Sequence, residues 1–346
     1  MAEIKNVGNH DAGTFVMKGI ATNDAPRFTM DAAGIQSGGA FLVSELEKRD
    51  PMIRKPLSSF TYGRDIPITV GGGWADYVSA MSVAYGITGG SGASPITAGG
   101  ANGIPIVQAS YDKGIFKAHT FAAALRVMFV DMQKANFIGR SLDQTLQDGV
   151  RMTYDKHMDQ NVYAGFSEYG TTGLINNGAV TETLAAATGT GSTRTWSTKT
   201  ADQILADINK AIVDAWKAAE YDRDAIPNHI LLPYEQYTYI ATTKVSDLAT
   251  ETILDYLLRN NLARKEGSDL FIGATAWCDG AGVSSADRMV VYCNKERYVK
   301  QEELVPLSRI MSAPNVANVC YDTAYMANIS EAEVFYPQTM LYVDGI

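Results

Sequence analysis

The sequence has few charged residues and no cluster of basic ones. Charged side chains make up 19% of the 346 residues, and the formal net charge is −9. Because about 25% is usual for soluble domains, the low charge density indicates that much of the surface becomes an interface. Proteins that hold nucleic acid electrostatically need clustered Lys and Arg to displace counterions from phosphates. The sequence therefore argues against direct recognition of DNA or RNA.

Cysteine is also scarce, since the sequence contains only Cys278, Cys293 and Cys320. Their number is odd, their spacing is wide and no CxxC pair occurs, so we expect reduced thiols rather than a disulfide framework. The first residues lack the apolar core of a secretory signal. Together these features predict a protein that is made and assembled in a cytoplasm.

The motifs of common catalytic and cofactor sites are absent as well. The sequence has no GxxxxGK[ST] phosphate loop, no GxGxxG after a strand, no GxSxG elbow and no HExxH. Two carboxylate pairs, Glu302-Glu303 and Glu331/Glu333, are interpreted as charges at strand edges that discourage mispairing. We therefore predict no catalytic, cofactor-binding or metal-binding residues.

The four histidines are scattered along the chain, and one of them lies among acidic residues. His157 is flanked by Asp155 and Asp159 on a predicted helix. Residues two apart on a helix point to different faces, so they do not form a compact metal or acid/base cluster. An exposed helical surface is the favoured interpretation.

A long segment has the composition of an extended arm. Residues 66–118 are strand-like at both ends, and residues 86–103 consist almost entirely of Gly, Ser, Ala, Thr and Asn. No charged side chain occurs from Tyr77 to Tyr111. Glycines and hydroxyls supply too little apolar surface for a membrane helix, or for a core that offsets the entropy of ordering. We therefore predict a hairpin that projects outward and lies on another copy of the same protein.

Large side chains of this hairpin are predicted to form the contacts between subunits. In its first strand Tyr77, Met81, Val83 and Tyr85 alternate with small or polar residues, which is the period-two pattern of a half-buried strand. The return strand is predicted over residues 104–118. The predicted contact residues are Trp74, Tyr77, Met81, Tyr85, Tyr111 and Phe116.

The rest of the chain predicts helices and strands in the order of an α+β protein. Ser141 and Gln144 form a capping box, and apolar residues then repeat every four positions until Gly165, which predicts a helix of roughly 36 Å. A second capping box, Thr200 with Gln203, begins another helix. Further predicted elements are a helix at 39–48, a buried strand or helix start at 121–130, a strand at 229–232, a helix beginning at Pro233, a helix at 252–260, and strands at 288–293, 298–307, 316–329 and 333–343.

The joint order of these parts resembles the major capsid protein of tailed bacteriophages, the Hong Kong 97-like fold, which bacterial encapsulins share. The resemblance does not depend on any single specific motif. Five pieces carry it: the Gly-rich hairpin, like the E-loop of that fold; the long capped helix at 141–164, like its spine helix; the turn GLINN at 173–177; the helix at 200–219 followed by HILLPYEQYTYI and TETILDYLL, like its A-domain; and the ending VFYPQTMLYVDGI, like the strand that returns to its P-domain.

The resemblance implies a subdivision of the chain. Its parts are an N-terminal arm at 1–62, an E-loop at 63–119, a first P-domain part at 120–197 with the spine helix at 141–165, an A-domain at 198–305, and P-domain return strands at 306–346. The sequence lacks a long helical N-terminal segment like the fused scaffold of some family members. Some members form Lys–Asn cross-links, but Lys113 and Lys117 are interpreted as solvated charges beside a strand.

The resemblance also implies a function. The expected role is a structural protein that self-associates into hexamers and pentamers of an icosahedral virion head, which encloses double-stranded DNA without specific recognition. Separate scaffolding, portal and decoration proteins are further expected partners, and no membrane or cofactor is expected. Two alternatives stay open: an encapsulin-like compartment, which needs a groove for a cargo peptide, and an enzyme whose Gly-rich loop is an active-site lid.

Overall fold

The computed structural model describes residues 56, 59–88, 106–138, 142–246 and 250–346, and the elements below all lie in the unit Phe60–Ile346. The helix predicted at 39–48, most of the predicted N-terminal arm and most of the Gly-rich tip of the hairpin lie outside the described residues. The helices are α1 (Tyr62–Asp65), α2 (Phe129–Ile138), α3 (Leu142–Tyr163), α4 (Ala201–Ala218), α5 (Tyr234–Thr242), α6 (Ile253–Asn260) and α7 (Leu262–Lys265).

The strands form two sheets. They are β1 (Ile68–Val70), β2 (Tyr77–Thr88), β3 (Ile106–Met128), β4 (Thr181–Leu184), β5 (His229–Leu232), β6 (Phe271–Ala274), β7 (Arg288–Tyr292), β8 (Val299–Asn315), β9 (Cys320–Ser330), β10 (Glu333–Val334) and β11 (Leu341–Asp344). The larger sheet has the order β1-β8-β9-β3-β2, with β10 paired to β8, and the smaller has the order β4-β11-β7-β5-β6. Each sheet combines strands from more than one of the predicted domains. The predicted subdivision therefore stays a prediction.

The predicted hairpin is present as β2 and β3, but its return strand is longer than expected. The register runs without a shift from Tyr77 opposite Lys117 to Thr88 opposite Ile106. β3 then continues to Met128 and pairs with β9. Within this second half Leu125 and Val127 are buried, whereas their neighbours alternate toward solvent. The apolar run at 121–130 is therefore mostly the end of a half-buried strand, and α2 begins only at Phe129.

The long helix is confirmed as α3, which spans Leu142–Tyr163. In its C-terminal half the side chains of Tyr154, Met158 and Val162 are buried, whereas Leu146 and Val150 nearer the N-terminus are only half-buried. Gly165 ends the helix with φ +66°, a conformation that glycine adopts without strain. The capping box at Ser141 lies outside the described residues. Because the apolar stripe is covered only toward the C-terminal end, the helix is anchored there.

The turn at 173–176 closes the C-terminal end of α3. The amide of Leu174 donates to the carbonyl of Val162 over 2.8 Å, and the side-chain amide of Asn176 donates to the carbonyl of Ala164 over 2.7 Å. These bonds satisfy carbonyls that the helix leaves without an internal partner. Gly173 permits this approach, since a Cβ at that position would lie 2.2 Å from the carbonyl oxygen of Tyr163.

The smaller sheet carries the largest hydrophobic core, and α4 packs on it. The predicted capping box of α4 is present, with the Thr200 amide bonded to the Gln203 side chain and the reverse bond from the Gln203 amide. Ile204, Ile208 and Ile212 are fully buried on its inner face. The predicted strand at β5 and the predicted helix at α6 are confirmed, and Pro233 is the N-cap residue of α5.

The strand predicted at 333–343 is interrupted, because Pro337 begins a short 3-10 helix between β10 and β11. β11 then inserts between β4 and β7 in the smaller sheet. Arg288 at the start of β7 fixes this arrangement: its guanidinium donates to Asp344 over 2.8 Å, to Glu182 over 2.7 Å and to the carbonyl of Ile175 over 2.8 Å. A buried charge with three hydrogen-bonded acceptors is well compensated.

The interpretation of the carboxylate pairs as edge charges is wrong for Glu303 and Glu333. β8 lies between β1 and β9, and Glu303 is paired with both neighbouring strands while it accepts a hydrogen bond of 2.6 Å from Tyr154. Glu333 is fully buried, and the Lys300 ammonium lies 3.7 Å from one of its oxygens. Sequence alternation did not reveal that these carboxylates point into packed surroundings.

Gly173→Ala is expected to destabilise the subunit by at least about 2–3 kcal/mol, because its methyl group would overlap the main chain of Tyr163 at the end of α3. The measurement is urea unfolding of the unassembled subunit. Gly178→Ala is the matched control, since a Cβ at Gly178 meets nothing within 4 Å. Equal stabilities of the two variants would contradict the close packing of this turn.

Glu333→Gln is expected to change the pH dependence of stability. Burial, helped by the nearby charge of Glu302, raises the pKa of Glu333 from 4.5 to about 7. The Glu333 carboxyl therefore binds a proton more tightly in the folded state than in the unfolded state. Its contribution to the free energy of unfolding is complete below about pH 4.5 and is lost, by about 3 kcal/mol, as the pH rises toward 7.

The Gln variant should lack this decline when the free energy of unfolding is measured between pH 4.5 and pH 8. Glu266→Gln changes an exposed carboxylate and should keep the wild-type pH dependence. Identical slopes for the wild type and Glu333→Gln would show that Glu333 titrates normally in the folded subunit.

Candidate functional site

A buried polar network anchors the base of the hairpin to α3. Asp159 of α3 accepts hydrogen bonds from the amides of Thr61 and Tyr62 at 3.0 and 3.2 Å, and from the Trp277 indole at 2.6 Å. Only 7% of Asp159 is exposed, so the expectation of an exposed helical surface around His157 is wrong at this residue. The carboxylate ties α1, which precedes the hairpin, to the long helix.

Asp65 forms the second part of this network. It is fully buried and accepts hydrogen bonds from Arg64 at 2.6 Å, from His229 at 3.2 Å and from the hydroxyl of Tyr163. Burial alone would raise the pKa of Asp65, but the hydrogen bonds from His229, Arg64 and Tyr163 outweigh it and lower the pKa.

The Asp65–His229 pair has the components of an acid/base dyad, but its surroundings are those of a packed interior. The His229 ring stacks on Phe271 with centroids 4.4 Å apart, and 6% of His229 is exposed. The main-chain oxygen of Asp65 also accepts a hydrogen bond from Tyr292. The pair therefore joins α1 to the smaller sheet.

The hairpin presents one face of large apolar side chains to solvent. Directly opposed residues of an antiparallel pair point to the same face, so the register groups these side chains. We call this the outer face; its members are Tyr77, Met81, Val83, Tyr85, Val107, Tyr111 and Ile115. Met81 is 72% exposed and Tyr85 78% exposed. This surface has the aromatic and methionine composition of interface centres.

The opposite, inner face of the hairpin is packed on the same chain at its base. Phe116 is half-buried and contacts Phe335 edge to face, with ring centroids 5.4 Å apart. The Lys300 ammonium lies over the other ring of this pair, 5.5 Å from the Phe335 centroid. Beyond these contacts a cavity of about 420 Å³ separates Ala80 and Gly114 from Lys300 and Phe335. These contacts fix the direction in which the hairpin projects.

The predicted contact residues fall into two groups. Trp74, Tyr77, Met81, Tyr85 and Tyr111 are all more than half exposed, and the last four share the outer face. Phe116 lies on the inner face instead, one position out of phase with them. Their role in subunit contacts stays a prediction. Sequence reasoning left out Val83, Val107 and Ile115, although the same alternation that selected Met81 also selects Val83.

One lysine of the hairpin, Lys117, is hydrogen-bonded within the chain. The Lys117 ammonium donates to the carbonyl of Tyr169 at 2.8 Å, and the Lys117 amide donates to Glu331 at 2.8 Å. The interpretation of Lys117 as a merely solvated charge is therefore wrong. It ties the base of the hairpin to the segment that follows α3.

A second exposed apolar surface lies at the far end of the larger sheet and was missed in the sequence. Val316 and Val319 in the turn between β8 and β9 are 86% and 62% exposed, and Met311 is 63% exposed. The Val319 carbonyl accepts from the amide of Phe129 at 3.1 Å, which joins this turn to the start of α2. The strand predicted at 316–329 begins only at Cys320, because residues 316–319 form this turn, so the prediction did not identify the exposed surface.

The described residues hold no group of three or more His, Cys, Asp or Glu side chains arranged to bind a metal ion. Among the helices of the described ranges, none combines the length and the hydropathy that crossing a bilayer requires. The candidate functional surface is the outer face of the hairpin, whose base is held by the network around Asp65 and Asp159.

Comparison with known proteins gives one family and several similar structures. Residues 92–346 match the family model described as major capsid protein. No curated protein sequence matches the chain. The capsid of Myoviridae phage XM1 has a TM-score of 0.72 at 15% identity, with 88% of this chain and 98% of that chain covered. The capsid of an empty GTA particle has a TM-score of 0.59 at 11% identity, with 90% and 98% covered.

A further similar structure comes from Microbacterium phage Oxtober96, with a TM-score of 0.57 at 15% identity over 88% of this chain and 98% of that chain. These matches confirm the predicted α+β class and the capsid fold, and they do not favour the encapsulin-like alternative. Since the family model covers well over half of the residues, the chain belongs to the major capsid protein family.

Proposed function

We propose that this protein self-assembles into hexamers and pentamers that close an icosahedral head around double-stranded DNA. The observation that carries the proposal is the outer face of the hairpin, where seven large apolar side chains share one exposed surface. Soluble monomers rarely expose a contiguous apolar patch of this kind unless a partner covers it. The abundant partner of a shell protein is another copy of itself.

The energetics favour burial of this face in an assembly. Covering apolar surface contributes roughly 25 cal/mol per Å², and an exposed aromatic side chain offers a large area. The residues from Tyr77 to Tyr111 carry no charge, and the charged side chains on this face are Lys113 opposite Met81 and Lys117 opposite Tyr77. The network around Asp65 and Asp159 holds the base of the hairpin, so less ordering entropy is lost when a neighbouring subunit covers it.

The charge of the chain suits a container for DNA. With a formal net charge of −9 it does not attract the phosphates of the packaged genome, which is held without specific recognition. The protein is located in the virion capsid after assembly in the host cytoplasm. Separate scaffolding, portal and decoration proteins complete the particle, and the role is structural rather than enzymatic.

Met81→Asp and Tyr85→Asp are expected to prevent assembly without unfolding the subunit. Each places a charge on the outer face, which would have to be desolvated in the contact. Because both side chains are more than two thirds exposed, the thermal midpoint should move by only a few degrees. Light scattering at micromolar concentration and circular dichroism measure the two effects.

Met81→Leu and Tyr85→Phe are the matched controls, since they keep the apolar character of the same positions and should assemble like the wild type. Assembly of the Asp variants at wild-type concentrations would show that the outer face is not the contact surface. A wild-type protein that stays monomeric under all assembly conditions would contradict the proposed function itself.

A further inference from the structure

The hairpin has a free strand edge as well as an exposed face. β2 is the terminal strand of the larger sheet, so only one of its two edges has a partner strand in the described part of the chain. β2 spans 12 residues, about twice the length of an average strand. Such an edge presents a row of main-chain donors and acceptors that can pair with another strand.

The register identifies which main-chain groups are free. The Ala118 amide donates to the Asp76 carbonyl over 2.9 Å, and the two residues continue the register of β2 and β3. Hydrogen-bonded pairs alternate with non-hydrogen-bonded pairs along an antiparallel ladder. The even-numbered residues of β2 therefore bond to β3, and the odd-numbered residues direct their amides and carbonyls away from it. These outward residues are Tyr77, Ser79, Met81, Val83, Tyr85 and Ile87.

The other edge of the hairpin, along β3, carries charged residues, whereas the 12 residues of β2 carry none. Along β3, opposite β2, the Lys113 amide is bonded to the Asp112 carboxylate and the Lys117 amide to the Glu331 carboxylate, at 2.8 Å each. Charged side chains and capped amides discourage strand pairing. Within β2 there is no charge, no proline and no shift of register. An unprotected edge of this length is suited to being covered in the working state.

We propose that the free edge of β2 forms main-chain hydrogen bonds with a strand of a second copy of this chain, which extends the larger sheet across the subunit boundary. This inference rests on the proposed self-assembly and specifies its geometry. A second copy is the occupant because the free edge adjoins the outer face: Tyr77, Met81 and Tyr85 direct their amides outward and also carry exposed apolar side chains. One neighbouring subunit can therefore cover both, as in strand addition between proteins.

Residue-resolved amide hydrogen exchange tests the proposal directly. In the unassembled subunit the amides of Val78, Ala80 and Ser82 should already be slowed by their bonds to β3, while those of Ser79, Met81 and Val83 exchange faster. In assembled particles the odd-numbered amides should become slower by at least about tenfold, which corresponds to about 1.4 kcal/mol. Particles that form normally while these amides keep their fast exchange would overturn the strand pairing and leave the proposed shell function intact.

Ser79→Pro provides a second test, because proline removes an outward amide and leaves the bonds of β2 to β3 in place. Its control, Ser79→Ala, keeps the amide. Ser79→Pro should raise the concentration needed for assembly at least tenfold, with a thermal midpoint of the subunit close to that of Ser79→Ala. Equal assembly of the two variants would show that this amide donates to no neighbour. Failure of both variants and of the wild type to assemble would contradict the shell function instead.

Discussion

The contacts at the C-terminal end of α3 are the constraint on which the other parts depend. There the buried carboxylate of Asp159 holds the main chain that precedes the hairpin, and the turn beginning at Gly173 closes on the last carbonyls of the helix. Tyr163 reaches from the same turn of helix to Asp65. Because these contacts all meet at one end of α3, they fix the base of the hairpin and the smaller sheet relative to the helix.

The buried polar network at this point and the exposed apolar face of the hairpin have complementary roles. Buried charges with several hydrogen-bonded partners fix orientation, although they contribute little net stability. Apolar side chains exposed on the subunit are available for contact, and their removal from water is favourable when subunits meet. Asp65 thus helps to position the hairpin, and Met81 belongs to the apolar surface that the hairpin presents.

Local signals in the sequence were sufficient for much of the fold. Three of these signals depend only on near neighbours, and each is present in the structure. They are the Thr200 capping box, the four-residue repeat of α3 and the period-two pattern that places Tyr77 and Met81 on one face of β2. The sequence could not reveal the burial of Asp159, because its partner Trp277 lies 118 residues away. The same holds for Glu333, whose surroundings are built by strands that only the sheet order brings together.

The position of β11 has a consequence for the order of synthesis. β4, β5, β6 and β7 are all translated before β11, yet β11 lies between β4 and β7 and supplies Asp344 to Arg288. A nascent chain that has not reached residue 341 holds β4 without a neighbouring strand and Arg288 without the carboxylate of Asp344. The smaller sheet therefore reaches its full strand order only after these late residues leave the ribosome.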